Sequence, residues 1–501
     1  MKHSRTPNFS GRALRAFFPL GALVLAACGG DDTPPPFDAG PVYPRATTSP
    51  QVAFEGQGRL VVDLYAAGQD FTGGSVRAED PAGPLEVLEQ RCRGERCAVV
   101  LHVRDTRPNM GIPVPSPIDA EQHGLIIMGG TEDHLANLSV FPLDTIDNGG
   151  TTAVSVRGVV MAASAETGPG SIFEGTAGAE PIRWVIFGDA TFAGTVDVSG
   201  AGAEGRAGGA AGGVAAAPGE DVAGGAGPAG GAAGIGGAGA GGGGASADGE
   251  AGAGADGTAL AGGAGGMGAS QALTCASRLE EASCGGAGGG GATGEGGAGG
   301  GTLLIASLGT LRATGASFTA DGDVGADAGG GGGGGGGNIL LAATSIEGVP
   351  AVSAAAGAGG MSTGPGTGGN GADGRMRVDA FDSSTAEAIG GVAGPAIDVA
   401  SVQSISDSAA VTLTGHAAPG AAIEARILDA GGTFSATADA TDGTFTIDVT
   451  LRPGINRITV SATVDGVTER SWVGTNFELE NIPALSRALP RGATIDIVHL
   501  P

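Results

Sequence analysis

The sequence predicts an all-β protein in three folded parts: a β-sandwich, a Gly-rich repeat region and a second, C-terminal sandwich. Three observations lead to this prediction. Short apolar runs separated by Gly, Pro and Asp clusters recur near both ends of the chain, as is typical of strands and turns. A strand-turn-strand pattern repeats in the middle. Glycine makes up 102 of 501 residues, which excludes conventional helices throughout, since each glycine destabilises a helix by about 1 kcal/mol.

Residues 1–27 have the pattern of an export signal. An apolar segment, 16–27, follows a basic one and is too short to span a bilayer. The basic residues are Lys2, Arg5, Arg12 and Arg15. The signal ends in Leu25-Ala26-Ala27-Cys28, so it resembles a bacterial lipoprotein signal peptide. An ordinary cleaved signal followed by a free thiol is the alternative.

The resemblance implies that Cys28 is the first mature residue, with diacylglycerol on its sulfur and an acyl chain on its amine. Such a residue would anchor the chain in membrane lipid, because anchoring becomes stable once a second chain joins the first. Gly29 follows, where an Asp would favour retention in the inner membrane. We therefore expect a lipid-anchored protein of the cell envelope, with the outer membrane favoured.

The charge balance excludes several classes of function. The signal holds four of the 25 basic residues and none of the 52 acidic ones, which leaves 21 basic against 52 acidic residues and a formal charge of −31. Such a polyanion repels nucleic acid. Lys2 is the only lysine and leaves with the signal, so the mature chain lacks a phosphate-loop lysine, a pyridoxal Schiff base and any lysine nucleophile.

Four further cysteines form two local pairs. Cys92 and Cys97 are five residues apart, and Cys275 and Cys284 are nine apart. In an exported chain we expect the disulfides Cys92–Cys97 and Cys275–Cys284, each stabilising by about 2–3 kcal/mol. A zinc site is the alternative, but neither spacing is C-x-x-C.

Residues 28–50 are predicted to be a lipidated N-terminus and a Pro-rich spacer, because Pro34-Pro35-Pro36 is extended and cannot pack. Residues 51–148 follow as the first sandwich. Its apolar runs, such as Leu60-Val61-Val62, alternate with turn clusters such as Phe71-Thr72-Gly73-Gly74. The rhythm loosely resembles an immunoglobulin-like domain.

Residues 149–395 contain the internal repeat. Residues 184–200, 302–322 and 338–348 each contain strand patterns joined by short turns and followed by a glycine run, and Arg375–Asp379 opens another copy. The pattern resembles Gly-rich regions of bacterial surface proteins that wind as parallel β-helices, and this implies a β-helix-like coil with glycine loops thrown outward. The expected interior rows are Val185, Phe187, Phe192, Leu304, Leu311, Phe318, Ile339, Leu341 and Ile346.

Two accounts of the glycine remain open. The low-complexity insert at 200–301 is either flexible or packed as left-handed polyglycine helices, in which only glycine fits at the crowded contacts. If the glycine runs are loops on a coil, deleting 329–337 matters little so long as a few residues span the gap.

Residues 396–475 show the clearest strand pattern. Phe445, Ile447 and Val449 fall on one face, as do the alternate residues Ile458 and Val460. The stretch resembles a bacterial immunoglobulin-like domain. Residues 476–501 are expected to be a tail that adds at most one edge strand near 494–498.

No candidate metal, cofactor or catalytic residue is assigned. His102, His123 and His134 could approach one another in the first sandwich, but solvated loop histidines are the simpler interpretation. Asp321, Asp323 and Asp327, and the pair Asp439 and Asp442, could bind calcium; Asp-Gly is, however, first a turn signal. Trp184 and Trp472 lie in strand patterns typical of a core.

The sequence therefore predicts a non-enzymatic, membrane-anchored surface lipoprotein with a structural or adhesive role. Its partners would be membrane lipid through Cys28 and a cell-surface polysaccharide or protein. A carbohydrate-active β-helix enzyme is the alternative, which a pair of carboxylates facing one groove of the coil would favour. A carbohydrate-binding protein would instead need exposed aromatic side chains.

Overall fold

The computed structural model describes residues 43–501 with internal gaps. The gaps are 57, 105–119, 142, 144–145, 149–152, 157, 178–180, 202–203, 215–288, 290–293, 328–329, 362–366, 381–383, 394–396, 401, 429–430 and 464–492. The described residues contain thirty strands and one short helix, which confirms the all-β prediction. None of their helices is long and apolar enough to cross a membrane. The export signal, Cys28, Cys275, Cys284 and Trp472 lie outside the described residues.

The N-terminal module contains strands β1 to β8. They are β1 (Arg45–Ser49), β2 (Val52–Phe54), β3 (Gly58–Tyr65), β4 (Ser75–Ala78), β5 (Leu85–Arg93), β6 (Arg96–Val103), β7 (Glu121–Met128) and β8 (His134–Phe141). The hydrogen-bonded order is β4-β7-β8-β1-β3-β6-β5, and β2 pairs with β8. Strand β1 joins the two halves, because it runs parallel to β8 and antiparallel to β3. The expected spacer therefore ends earlier than residue 50.

The coil follows and carries three ladders of parallel strands. It comprises β9 (Ile146–Asn148), β10 (Ala153–Val156), β11 (Val159–Ala162), β12 (Ala165–Thr167), β13 (Ile172–Gly175), β14 (Ile182–Ile186), β15 (Ala190–Thr191), β16 (Thr195–Asp197), β17 (Thr302–Arg312), β18 (Ser317–Thr319), β19 (Asn338–Glu347), β20 (Ala351–Ser353), β21 (Arg375–Asp379), α1 (Ser384–Ala388) and β22 (Val392–Ala393). One ladder is β11-β14-β17-β19-β21-β22, the second is β9-β12-β15-β17-β19, and the third is β10-β13-β16-β18-β20. This stack is β-helix-like, as the repeats predicted, and β9 shows that it begins before residue 149.

Aromatic side chains fill the inside of the coil. Trp184 packs edge-on against Phe173, with ring centroids 5.1 Å apart, and lies parallel to Phe192 at 5.7 Å. Phe192 in turn meets Phe318 at 5.8 Å. These rings come from successive turns of the coil, so they tie its layers together in a single core.

The interior rows are only partly as expected. Phe192, Leu311, Phe318, Ile339 and Leu341 belong to the core of the coil, and Ile346 packs against it. Val185, Phe187 and Leu304 instead point outward, where Phe54 and Phe141 of the N-terminal module cover them. Because both faces of these strands are buried, an apolar run does not show which face turns inward. The inward residues are the alternate ones, including Trp184, Leu303 and Ile305.

Six Gly-rich segments pack together beside the coil, and we call them the glycine bundle. In chain order the segments are 204–214, 294–301, 320–327, 330–337, 354–361 and 367–374. Segment three leaves β18 and segment four leads into β19. In the same way, segment five leaves β20 and segment six leads into β21. Segments three and five are therefore outgoing arms, and segments four and six are returning arms.

Hydrogen bonds within the bundle recur every third residue. The amides of Gly334 and Gly337 donate to segment three at 2.9 and 2.7 Å, whereas those of Gly333 and Gly336 donate to segment six at 2.9 and 2.8 Å. A segment that makes one turn every three residues, and whose hydrogen bonds all go to adjacent segments, has the geometry of a polyproline II helix. Segment four is buried throughout.

This packing settles the two accounts of the glycine for the described residues. Where the glycines of the bundle face a neighbour, an added Cβ would lie under 3.0 Å from backbone atoms, as at Gly334 against the carbonyl oxygen of Ala298. The described parts of 200–301 are packed segments as well. The expectation that 329–337 is a dispensable loop is wrong, because 330–337 lies buried between four other segments.

The C-terminal module contains two facing sheets. Its strands are β23 (Asp398–Val399), β24 (Ile405–Ser406), β25 (Ala410–His416), β26 (Ala422–Ile427), β27 (Thr433–Thr437), β28 (Thr444–Thr450), β29 (Gly454–Thr463) and β30 (Ala493–His499). The sheet orders are β23-β25-β28 and β24-β30-β29-β26-β27. Buried and exposed residues alternate along β25, β26 and β28, as the two-residue period predicted. Strand β30 lies inside its sheet rather than at the expected edge, because it pairs with both β24 and β29.

Candidate functional site

The glycine bundle carries exposed apolar side chains. Its far end is the end that lies away from the strands of the coil. Val214, Val324 and Met361 stand at or near this end, and they are 60%, 62% and 73% exposed. They are three of the five large apolar side chains that are strongly exposed among the described residues. The carboxylate of Asp327 accepts the Met361 amide at 3.0 Å.

One lateral edge of the bundle is closed by side chains. The amides of Ala356 and Gly359 face outward from segment five, where no further segment follows in the described chain. Asp373 accepts the first at 2.9 Å and Asn370 accepts the second at 2.9 Å. These oxygens take the place of the backbone carbonyls that accept the equivalent amides of Gly322 and Gly325. The sequence analysis did not single out Asn370 and Asp373, although their spacing of three in a Gly-rich stretch was a visible signal.

The acidic residues considered for calcium serve the backbone instead. Asp321 accepts the Ser353 hydroxyl at 2.5 Å and the Ala355 amide at 2.6 Å. Asp439 accepts the amides of the turn that follows it. Asp442 accepts the Thr444 amide at 2.9 Å and the Thr444 hydroxyl at 2.7 Å, which lowers the pKa of Asp442. Within the described ranges no group of three or more His, Cys, Asp or Glu side chains could hold a metal ion.

The three histidines of the N-terminal module lie on different strands. His102 is on β6, His123 on β7 and His134 on β8. His134 is buried edge-on against Phe71, with its Nδ1 3.1 Å from the Glu132 carbonyl oxygen. The structure therefore gives His134 a packing role, and it does not bring the three together as a metal site among the described residues.

Carboxylates on the coil are paired across its turns. Arg312 bridges Asp189 at 2.9 Å and Glu347 at 3.1 Å, which links three successive turns of the second ladder. Hydrogen bonds from the Thr310 amide and from Arg312 lower the pKa of Asp189. These contacts hold the two carboxylates in a ladder of ion pairs across the turns of the coil.

Asp197 has a similar role on the third ladder. It accepts the Ser199 amide at 2.9 Å and the Thr319 hydroxyl at 2.7 Å, and Arg206 lies 3.7 Å away. Burial raises the pKa of Asp197, but these hydrogen bonds and the nearby guanidinium outweigh it, so that the net shift is downward. An ionised, fully engaged carboxylate of this kind stabilises the coil.

The described cysteines form the Cys92–Cys97 disulfide. It joins β5 to β6 beside their hairpin turn, where Cys92 and Cys97 are direct partners in the strand register. Both sulfur-bearing side chains are buried in the core of the N-terminal module. The local pairing expected for this half of the cysteines is therefore present.

One sequence string matches the spacing of a nucleophile elbow. Gly360-Met361-Ser362-Thr363-Gly364 fits G-x-S-x-G, which the sequence analysis did not single out. An elbow needs a strand before the serine and a helix after it. Segment five, which leads into the string, is a glycine segment and not a strand, and Ser362 lies outside the described residues.

Comparison with protein-family models, with curated proteins and with solved structures gives no match to this chain.

Proposed function

We propose that the chain is a non-enzymatic lipoprotein of the bacterial cell envelope that has a structural or adhesive role. The observation that carries the proposal is the glycine bundle, a hydrogen-bonded body beside the coil that carries exposed apolar side chains. Residues that bind a partner are commonly held in place by a rigid scaffold of this kind. The partner class we propose is a cell-surface polysaccharide or protein.

We further propose that the two sandwiches are immunoglobulin-like. In the N-terminal module, the order β1-β3-β6-β5 opposite β4-β7-β8 corresponds to strands A-B-E-D opposite C-F-G. In the C-terminal module, β23-β25-β28 corresponds to A-B-E and β30-β29-β26 to G-F-C. In both modules the first strands run parallel to the last one. These correspondences support the proposal, and modules of this type suit an extended surface protein.

The anchor in this proposal is Cys28. Its support is the basic and apolar leader that ends in Leu25-Ala26-Ala27-Cys28. Each buried methylene contributes about 0.8 kcal/mol, so several acyl chains on one residue are enough to hold the protein on a membrane.

Cell fractionation and a binding assay test the proposal together. Mass spectrometry of the mature N-terminal peptide is expected to show acyl chains on Cys28, and Cys28→Ala is expected to leave the protein unprocessed or released. Binding of cells to a surface coated with polysaccharide or with protein is expected to fall when Met361 and Val324 are both replaced by serine. The matched control is Val349→Ser, which removes an exposed valine from the coil. An unmodified Gly29 at the N-terminus would refute the lipid anchor at Cys28. Equal binding by all variants would refute the adhesive role.

A further inference from the structure

The outer face of the N-terminal module is covered by the C-terminal module. Along β3, Leu60, Val62 and Leu64 point into their own core, whereas Val61 and Asp63 point out. The outward face meets β24, β29 and β30 in one apolar cluster, which we call the seam. Its members are Val61, Ala98, Val100, Ile405, Val498 and Leu500, with Ile455 packed against them.

An ion pair with a buried carboxylate lies beside the seam. The Arg96 guanidinium donates to the Asp63 carboxylate and also stacks over the Tyr65 ring, 4.7 Å from its centroid. Strand β29 covers this pair with Gly454, where φ is +92° and an added Cβ would lie 2.8 Å from the carboxylate and 2.7 Å from Arg96 Nη1. Glycine suits this position, because the backbone is left-handed and a Cβ would have to displace the ends of both side chains.

Asp63 is exposed to water only if the modules part. Its side chain stands on the outer face of β3, and β29 is what closes over it, so that the side chain is 6% exposed. Burial raises the pKa of Asp63 to about 6, although Arg96 and the Ile455 amide act in the opposite direction. Its Oδ1 atom is buried without a hydrogen-bond partner in the described part of the chain. A proton on Asp63 removes the cost of burying that charge.

We propose that the seam is a pH-sensitive clasp between the first and last modules, held closed more tightly in mild acid than at neutral pH. The closed clasp binds a proton on Asp63 that the open one gives up. Closing is therefore fully favoured below about pH 4 and weakens as the pH rises through about 6. Between pH 5.0 and 7.5 the closing equilibrium constant is expected to fall about tenfold. It falls by up to tenfold for each pH unit below the pKa of the closed state, which is about 6, and levels off above it.

The other charged groups around the seam are accounted for by contacts of their own. Arg91 of β5 pairs with Asp407 at 2.8 Å, and Arg59 of β3 donates to the Ser404 hydroxyl at 3.0 Å and lies 3.9 Å from Glu89. On β29 and β30, Arg457 pairs with Asp496 at 3.0 Å. His499, the register partner of Gly454, has its Nδ1 3.1 Å from the Ser406 carbonyl oxygen. The Arg91 pair is exposed, so it lies at the rim, and it provides a control.

A buried thiol at the seam tests the clasp in the full mature chain. Val498→Cys, in a chain expressed from Gly29 onward so that Cys28 is absent, reacts with a thiol reagent only when the modules part, because Val498 is fully buried. The labelling rate at this position, read by peptide mapping and divided by the rate of the urea-unfolded chain at the same pH, is expected to rise about tenfold from pH 5.0 to 7.5. Asp63→Asn is expected to make the rate independent of pH, whereas Asp407→Asn keeps the rise.

Two further variants separate opening from unfolding. Ala462→Cys places a thiol in the core of the C-terminal module, where labelling reports unfolding of that module. Val100→Glu puts a charge into the seam and is expected to expose the seam thiol introduced by Val498→Cys at both pH values, while the core thiol introduced by Ala462→Cys stays protected. The proposal is overturned if Asp63→Asn keeps the tenfold rise, if the seam thiol and the core thiol label at the same rate, or if the seam thiol stays protected in the Val100→Glu chain.

Discussion

Replacing Gly334 with alanine is a direct test of how the glycine bundle is packed. Gly334 is buried in segment four, donates its amide to the Asp323 carbonyl at 2.9 Å and accepts the Gly357 amide at 2.8 Å. An added Cβ would lie under 3.0 Å from the Ala298 carbonyl oxygen. The obstacle is backbone, which cannot swing aside as a flexible side chain can.

The cost follows from the contacts that must give way. Moving segment two far enough to restore an ordinary separation of 3.4 Å or more strains the hydrogen bonds from Gly297 to Gly332 and from Gly300 to Gly335, at 2.8 and 2.9 Å. Overpacking costs about 1–3 kcal/mol, and each lost hydrogen bond about 1 kcal/mol. We therefore expect Gly334→Ala to lower the free energy of unfolding by about 3–5 kcal/mol.

Gly315→Ala is the matched control. Gly315 lies in the turn between β17 and β18 with φ at +80°, and an added Cβ there meets nothing within 4 Å. Its cost is confined to the left-handed backbone, about 1 kcal/mol. Thermal and urea unfolding of the mature chain measure both variants. For a unit of this size Gly334→Ala is expected to lower Tm by roughly 10 °C and the control by a few degrees. If Gly334→Ala were no more destabilising than Gly315→Ala, the packing argument for the bundle would be wrong.

Three further predictions concern the bundle edge, the coil core and the coil surface. Replacing both Asn370 and Asp373 with glycine frees the two outward amides and is expected to make the chain self-associate through that edge. Light scattering after size exclusion measures this, and an unchanged molecular mass would contradict the capping role. Phe318→Ala leaves a cavity in the coil and is expected to cost about 3–5 kcal/mol in urea unfolding, against under about 1.5 kcal/mol for Phe318→Leu. The lowered pKa of Asp189 means that its pairing with Arg312 stabilises the coil above the ordinary carboxyl pKa and is lost as the pH falls through the lowered one. Asp189→Asn is thus expected to lower Tm more at pH 7 than at pH 2, and an equal loss at both would refute this.

Strands β25, β26 and β28 of the C-terminal sandwich could be predicted because each has one face in water. Along β28, Phe445, Ile447 and Val449 are buried and the residues between them are exposed, so the two-residue period shows both the strand and its inner face. The place of strand β30 in its sheet was harder to predict. Residues 464–492 separate it from β29, so the two strands lack the short hairpin turn that usually marks neighbouring strands.

The faces of the coil strands could not be predicted from the same signal. Leu303 and Leu304 are both buried, one inside the coil and the other against the N-terminal module. Nothing in an unbroken apolar run distinguishes the two, and only the tertiary contact with Phe54 does so. The candidate site shows a similar limit. The glycine bundle has no apolar period. Its cap at Asn370 and Asp373 can be recognised only once the outer side of segment five is seen to have no further segment against it in the described chain.

The coil is what allows the glycine bundle to form. Ordering a glycine costs more conformational entropy than ordering any other residue, and a hydrogen bond returns only about 1 kcal/mol net, so six isolated segments would not assemble in water. Here the ladder continues from coil to bundle without a break: the Asn338 amide donates to Gly301 at 3.0 Å and the Arg375 amide to Gly337 at 2.9 Å. Neighbouring strands stand about 4.8 Å apart, and the segments that follow from them inherit that spacing. At such a distance no side chain fits between them, so the glycine content of this region is a packing requirement imposed by the coil.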